Sequence, residues 1–295
     1  MTWLLYLSNV IFARTESALG KYSGKRGGDP FTFNRGKTVA AALLCAIFAI
    51  FSGIEFHGGT VILALIYGGA SALSMHAGLV ALSLGSMAIV SMLASLSLII
   101  PTLWGLVFLN ESISLFGIVG LLLIALSILL LNLKKGGGKI SVKCWIYSIL
   151  TMVANGVASI VQKYHQAQNP SKYRIEFMLI SMGFACLIFM LLWLKAAIAE
   201  KNRSKPASQK RSIKEILTQL PLILGFLAGT CNCFANFSIL FLAESENASL
   251  LFPILSAANA IGACLVGKLV FKERLTPLQL ISICLGILSV VLLKI

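Results

Sequence analysis

Only ten of the 295 residues are acidic, and one of them, Glu16, stands inside an apolar run that begins at the second residue. A charge at the centre of a membrane-crossing helix costs about 2.5–3.5 kcal/mol on insertion scales, so such a carboxylate is expected to face a cavity or a partner. Asn9, Ala13, Glu16 and Gly20 recur at helical spacing and make one stripe of polar and small residues. A carboxylate on that stripe could line a path and exchange a proton. The competing expectation ends the helix at Ala13 and leaves Glu16 at the headgroups beside Arg14. His76 falls at similar depth in the third apolar run, as do Ser91 and Ser95 in the fourth. A histidine near a carboxylate shifts both titrations and permits proton coupling near neutral pH, while a histidine bonded to a neighbouring helix backbone is the plainer alternative.

The second half of the chain is rich in neutral amides. Asn155, Ser159 and Gln162 share one face of the sixth apolar run, Asn232 and Asn236 one face of the eighth, and Asn259 lies in the middle of the ninth. Single interhelical hydrogen bonds in membranes contribute only ~0.6 kcal/mol on average, so an amide can be glue. Five amides in three runs exceed that need and are candidates for holding a solute. The carboxylates Glu111 and Glu273 stand just before helix starts, with Ser114 and Thr276 as N-caps and Pro277 in the first helical position; capping and interface roles are expected of both.

Other chemistry finds little support. The seven cysteines show no paired CxxC spacing, and Cys231-Asn-Cys233 has no histidine or carboxylate beside it, so they read as packing residues. "RGKT" (35–38) lacks the first glycine of a phosphate-binding loop and follows no strand. No nucleophile–base set is visible, and no metal, cofactor or enzymatic activity is expected. The formal charge of +14 would suggest nucleic acid in a soluble protein. Here the cations stand between apolar runs, where they mark the cytoplasmic side and its anionic lipid, so no nucleic-acid partner is expected.

The elements that must carry these residues are helices in a membrane. The chain is 58% hydrophobic and 12% charged, with a mean hydropathy of +0.92, more apolar surface than a soluble fold can hide. Runs of about 20 apolar residues match a hydrocarbon core of about 30 Å. Cutting at the polar breaks gives ten spans, at about 2–23, 37–54, 60–82, 86–109, 114–132, 144–165, 174–197, 216–242, 248–270 and 277–294. Residues 86–133 slide onto 248–295 without a gap, so that Gly105 meets Gly267, Glu111 meets Glu273 and Ser127 meets Ser289; at a second offset Trp3 meets Trp145 and Lys21-Tyr22 meets Lys163-Tyr164. The expected fold is all-α and integral to a membrane: ten transmembrane helices in two inverted five-helix repeats, 1–133 and 144–295, joined by a basic linker, 134–143. Five is odd, so the second repeat enters from the opposite side, and such repeats meet around a midplane site.

"PTLWGLVFLNESISLFGIVGLLLIALSILLL" (101–131) and "ACLVGKLVFKERLTPLQLISICLGILSVVLL" (263–293) each join a glycine-bearing fourth span, a short turn with a glutamate and a last span rich in small residues. In this the chain resembles the drug/metabolite transporter superfamily, in its EamA-type branch. The resemblance implies secondary transport of small solutes, with efflux favoured because that branch is rich in exporters. The function expected is proton-coupled, alternating-access transport of a small polar or amphipathic, amino-acid-like metabolite, by a monomer or homodimer in contact with membrane lipid. An uncoupled exchanger, a multidrug pump, and a membrane-embedded enzyme or sensor are the alternatives. Most of the 24 Lys and Arg fall in the loops after odd-numbered spans, against Lys163, Lys172, Arg174 and Lys294 on the other side. The odd-numbered loops are therefore expected in the cytoplasm of a bacterial inner (plasma) membrane, although the resemblance implies cytoplasmic termini.

Overall fold

Asp29 and Pro30 set the pattern by which this chain starts its helices. The Asp29 carboxylate accepts hydrogen bonds from the Phe31 and Thr32 amides at 3.3 and 2.8 Å, and Pro30 fills the first helical position, where its missing N–H is no loss. Ser141 and Ser114 do the same for later helices, accepting from the Cys144 and Gly117 amides at 3.2 and 3.0 Å. In the computed structural model, residues 2–84, 93–94, 96–111, 113–132, 141–169, 172–202, 220–272 and 277–294 are described. Among them are ten helices and no strand: α1 Thr2–Lys25, α2 Pro30–Ser52, α3 Gly58–Leu84, α4 Ile99–Phe108, α5 Leu115–Asn132, α6 Val142–Gln168, α7 Arg174–Asn202, α8 Leu220–Ser245, α9 Ala248–Leu269 and α10 Pro277–Lys294.

Six of these, α2, α3, α6, α7, α8 and α9, are long and apolar enough to cross a membrane, and α4, α5 and α10 carry shorter apolar stretches. The fourth span differs from the continuous helix expected over 86–109. Ser97 and Leu98 form a turn before α4, because Pro101 has no N–H and its ring excludes the Ser97 carbonyl from helical approach.

The helix pairings come in mates. α1 packs on α8 as α6 packs on α3, α2 on α8 as α7 on α3, and α1 on α9 as α6 on α4, while α2 with α7, α4 with α9 and α5 with α10 pair across the two halves. With lipid outside there is no hydrophobic gain from joining helices, so close backbone approach at small residues does the work. A Cβ at Gly225 or Gly229 of α8 would stand 2.2 Å from the Phe33 or Lys37 carbonyl oxygen of α2.

Glu111 performs a cap, but on a helix far along the chain and not on the one it precedes. Its Oε1 and Oε2 accept from the Ala248 and Ser249 amides, at 2.8 and 2.7 Å, supplying the start of α9, whose N-cap Asn247 makes no side-chain cap bond. Lys163, buried on α6, donates to the Ala243 and Glu246 carbonyls at 2.8 and 2.6 Å and so closes the end of α8. A carboxylate and an ammonium thus bracket the α8–α9 turn in the sense the helix dipoles favour. Glu273 and Thr276 lie outside the described residues, as does most of the linker.

Candidate functional site

α1 runs antiparallel to α8, and their register delivers Glu16 to the amides. The Ser8 and Ser238 hydroxyls share a hydrogen bond at 2.9 Å, Asn9 Nδ2 donates to the Ala235 carbonyl at 2.9 Å, and the rings of Phe12 and Phe234 stack at 5.1 Å. One turn further, Asn232 Nδ2 donates to Glu16 Oε2 at 3.0 Å. The other carboxylate oxygen is paired with Lys37 Nζ at 2.5 Å, the two side chains being 14% and 19% exposed in the order Lys37, Glu16.

The network continues along α8 because residues four apart share a helix face. Asn236 Nδ2 donates to the Asn232 carbonyl at 2.9 Å and to Asn232 Oδ1 at 3.2 Å. Asn236 Oδ1 accepts from the Tyr67 hydroxyl of α3 at 2.7 Å, and Gln162 of α6 donates to the Asn236 carbonyl at 3.2 Å. Every side-chain donor in the series Tyr67, Asn236, Asn232 points towards Glu16, and Lys37 closes it from the far side. Such an arrangement gives each Glu16 oxygen a donor, Lys37 on one and Asn232 on the other.

The other expected residues are distributed as follows. Asn9, 1% exposed, belongs to the α1–α8 contact, and its Oδ1 accepts from Asn259 Nδ2 at 3.4 Å. Asn155 accepts from Ser74 at 2.7 Å in the mate of that contact, between α6 and α3; Ser159 is half-buried one turn on. His76 is not brought to Glu16. It is nine residues from Tyr67, two and a half helical turns, and so lies on the opposite, exposed face of α3 in line with Ile62, Ile66 and Leu73. Ser91 and Ser95 lie outside the described residues.

Two members of the network, Lys37 and Tyr67, escape the reading of the sequence. Lys37 counts there as a loop cation, yet Asp29-Pro30 is a helix-start signature that already places residue 37 in the second turn of α2. Tyr67 offers no such signal in an apolar run. A third residue, Arg14, reads as a headgroup neighbour of Glu16. It points instead towards α9, where its buried Nε has no hydrogen-bond partner among the described residues.

Above Asn236, at the ends of α2 and α8 and the start of α7, a cavity of about 310 Å³ is lined by Ser52, Gly53, Arg174, Glu176, Phe237 and Phe241, among others. Its cation is firmly held. Arg174 forms an ion pair with Glu244, donates to Gln166 Oε1 at 2.9 Å and lies 4.2 Å from the Phe241 ring centroid. Glu176 accepts from the Glu55 amide at 3.1 Å. Phe237 is the residue next to Asn236, so the cavity floor and the polar network share one stretch of α8.

Comparison with known proteins adds to this geometry. The model of the EamA-like transporter family matches twice, over residues 2–133 and 142–295. A comparison with the curated proteins finds no match. Solved structures do match; one, described only as the crystal structure of a protein, is 13% identical and superposes with a TM-score of 0.73, over 99% of this chain and 95% of its own. At that identity the likeness shows the fold alone.

Proposed function

The chain belongs to the EamA-like transporter family, and from that premise we propose that it is a secondary transporter of a small polar or amphipathic, amino-acid-like solute. It works by alternating access, exports its cargo, and couples the movement to protons at Glu16. The observation that carries this reading is the bond pattern at Glu16: a carboxylate in the middle of α1, held at once by Lys37 of α2 and Asn232 of α8. The Asn232 bond joins one repeat to the other and the Lys37 pair ties α1 to α2 within the first, so a proton on the oxygen that faces Asn232 loosens a link between the halves. The amides of α8, with Gln162 and Tyr67, then offer hydrogen bonds to the solute in place of those they make to one another.

In this reading α1, α4, α5 and α10 join the six long helices to make ten spans, five per repeat, and the odd count inverts the second repeat. The cation distribution supports cytoplasmic odd-numbered loops in a bacterial inner membrane, which turns the 310 Å³ cavity towards the outside. A second reading, uncoupled exchange, is favoured by the same ion pair: Lys37 already balances the Glu16 charge, so a charged solute could part the two without a proton.

The test is uptake of a pool of labelled amino acids and small metabolites into proteoliposomes, with and without an imposed pH gradient, for the wild type and Glu16→Gln. Accumulation that needs the gradient, and whose gradient dependence is lost in the variant, supports proton coupling. Gradient-independent exchange in both proteins selects the exchanger, and a pool that stays put overturns the metabolite reading.

A further inference from the structure

Arg14 Nε of α1 and Asn259 Oδ1 of α9 are buried in the seam between these helices and have no hydrogen-bond partner among the described residues. Gly262 makes room for the first. A Cβ there would stand 2.9 Å from Arg14 Cγ and 2.9 Å from Val10 Cγ1, so only a glycine lets the arginine stem lie across α9. One turn earlier on α9, Asn259 donates its amide to Asn9 and leaves its own oxygen unused. A donor and an acceptor therefore stand open in the same seam, against positions three residues apart on α9.

The position excludes a lipid headgroup. Arg14 is twelve residues from the start of α1 and eleven from its end, about 17 Å from either at 1.5 Å per residue, whereas half the hydrocarbon thickness is about 15 Å. Glu16 acts on it through space but makes no ion pair with it. Two residues on, Glu16 points to the other side of α1, where Lys37 and Asn232 hold it. A mid-membrane guanidinium with no ion pair among the described residues is costly, and such cations mark solute pathways.

We propose that the α1–α9 seam is an anion subsite: Arg14 takes a carboxylate of the cargo, and Asn259 Oδ1 accepts a hydrogen bond from an amino or hydroxyl group on the adjoining carbon. The planar guanidinium fork suits a carboxylate in two-point contact. This inference rests on the transport reading and adds the class of cargo selected, α-substituted carboxylates over their amides. Cations and neutral solutes gain nothing from this seam.

The experiment separates the subsite from transport. Purified full-length protein is titrated with leucine, leucinamide, 4-methylvalerate, lactate and lactamide, with the shift in melting temperature as readout. The acids should stabilise the wild type and the amides should not. Arg14→Gln should weaken binding of every acid by roughly tenfold or more, the loss of a charge-assisted hydrogen bond, and Arg14→Lys, which keeps the charge and guards against misfolding, should retain part of it. Asn259→Ala should weaken leucine and lactate but spare 4-methylvalerate, which has no α-donor. Equal shifts for acids and amides, unaltered binding in Arg14→Gln, or no shift with any acid would each overturn the subsite. Counterflow of labelled leucine in proteoliposomes is measured in parallel. Exchange with no acid preference leaves the transporter and removes the subsite, while Arg14-dependent binding without exchange leaves the subsite and removes the transporter.

Discussion

Glu16 is acceptable in the middle of α1 only because its partners arrive from two other helices, and the energies of the three residues are therefore coupled. Replacing Lys37 with Met strands the carboxylate. A fully buried broken pair costs about 3–5 kcal/mol and an exposed one about 0–1; with both side chains mostly covered, a loss of about 2 kcal/mol is expected. Adding Glu16→Gln to Lys37→Met should recover most of it, because the amide needs no counter-charge. Thermal unfolding of both single variants and the double variant measures the coupling, and simple additivity would sink the ion pair as a stabilising contact. At this scale the sequence announced Glu16, Asn232 and Asn236 through their polarity in apolar runs, and the structure brings those three together. It hid Tyr67, whose type is ordinary in a membrane helix, and it misplaced Lys37, because a lysine near a run end looks like a loop cation until the Asp29-Pro30 start is taken at face value.

Helices in this protein are completed by side chains far away in the chain. The start of α9 depends on Glu111 and the end of α8 on Lys163. Glu111→Ala should cost about 1–2 kcal/mol, as for the loss of an N-cap, and Glu111→Gln less, since one side-chain oxygen remains to accept. Hydrogen exchange at the Ala248 and Ser249 amides is the direct readout; exchange no faster in the alanine variant would refute the cap. A capping role for Glu111 was legible from its place before a helix start. That the capped helix is α9 was not legible, because sequence proximity carries no information about which distant amides a side chain reaches. The same limit applies to His76, whose direction depended on the nine-residue offset from Tyr67.

In the whole molecule, packing does not follow the two repeats. α1, α2, α3, α6, α7 and α8 pack into one group and α4, α5, α9 and α10 into another, each drawing helices from both halves, with α1–α9 and α4–α6 as the main contacts between groups. The 5+5 pattern of the sequence records the repeat; the 6+4 pattern arises from which faces carry small residues, and spacing alone could not reveal it. A pair of cysteines tests the division. Cys45 and Cys233, with sulfurs 3.4 Å apart, lie inside the larger group, so copper–phenanthroline, which removes two electrons and two protons from the thiols, should cross-link them without stopping solute exchange. Arrest of exchange by that cross-link would mean that the moving parts are divided elsewhere.

The reach of Glu111 also has a consequence in time. Its acceptors' partners, the amides of Ala248 and Ser249, follow it by 137 and 138 residues, and a ribosome adding about 5–20 residues per second needs roughly 7–28 s to make them. For that interval the carboxylate is in or near the bilayer without its helix, as is Glu16 without Asn232, 216 residues later. The first half is thus made as an unfinished surface, and its polar groups become a stable interior only when the last third of the chain has been synthesised.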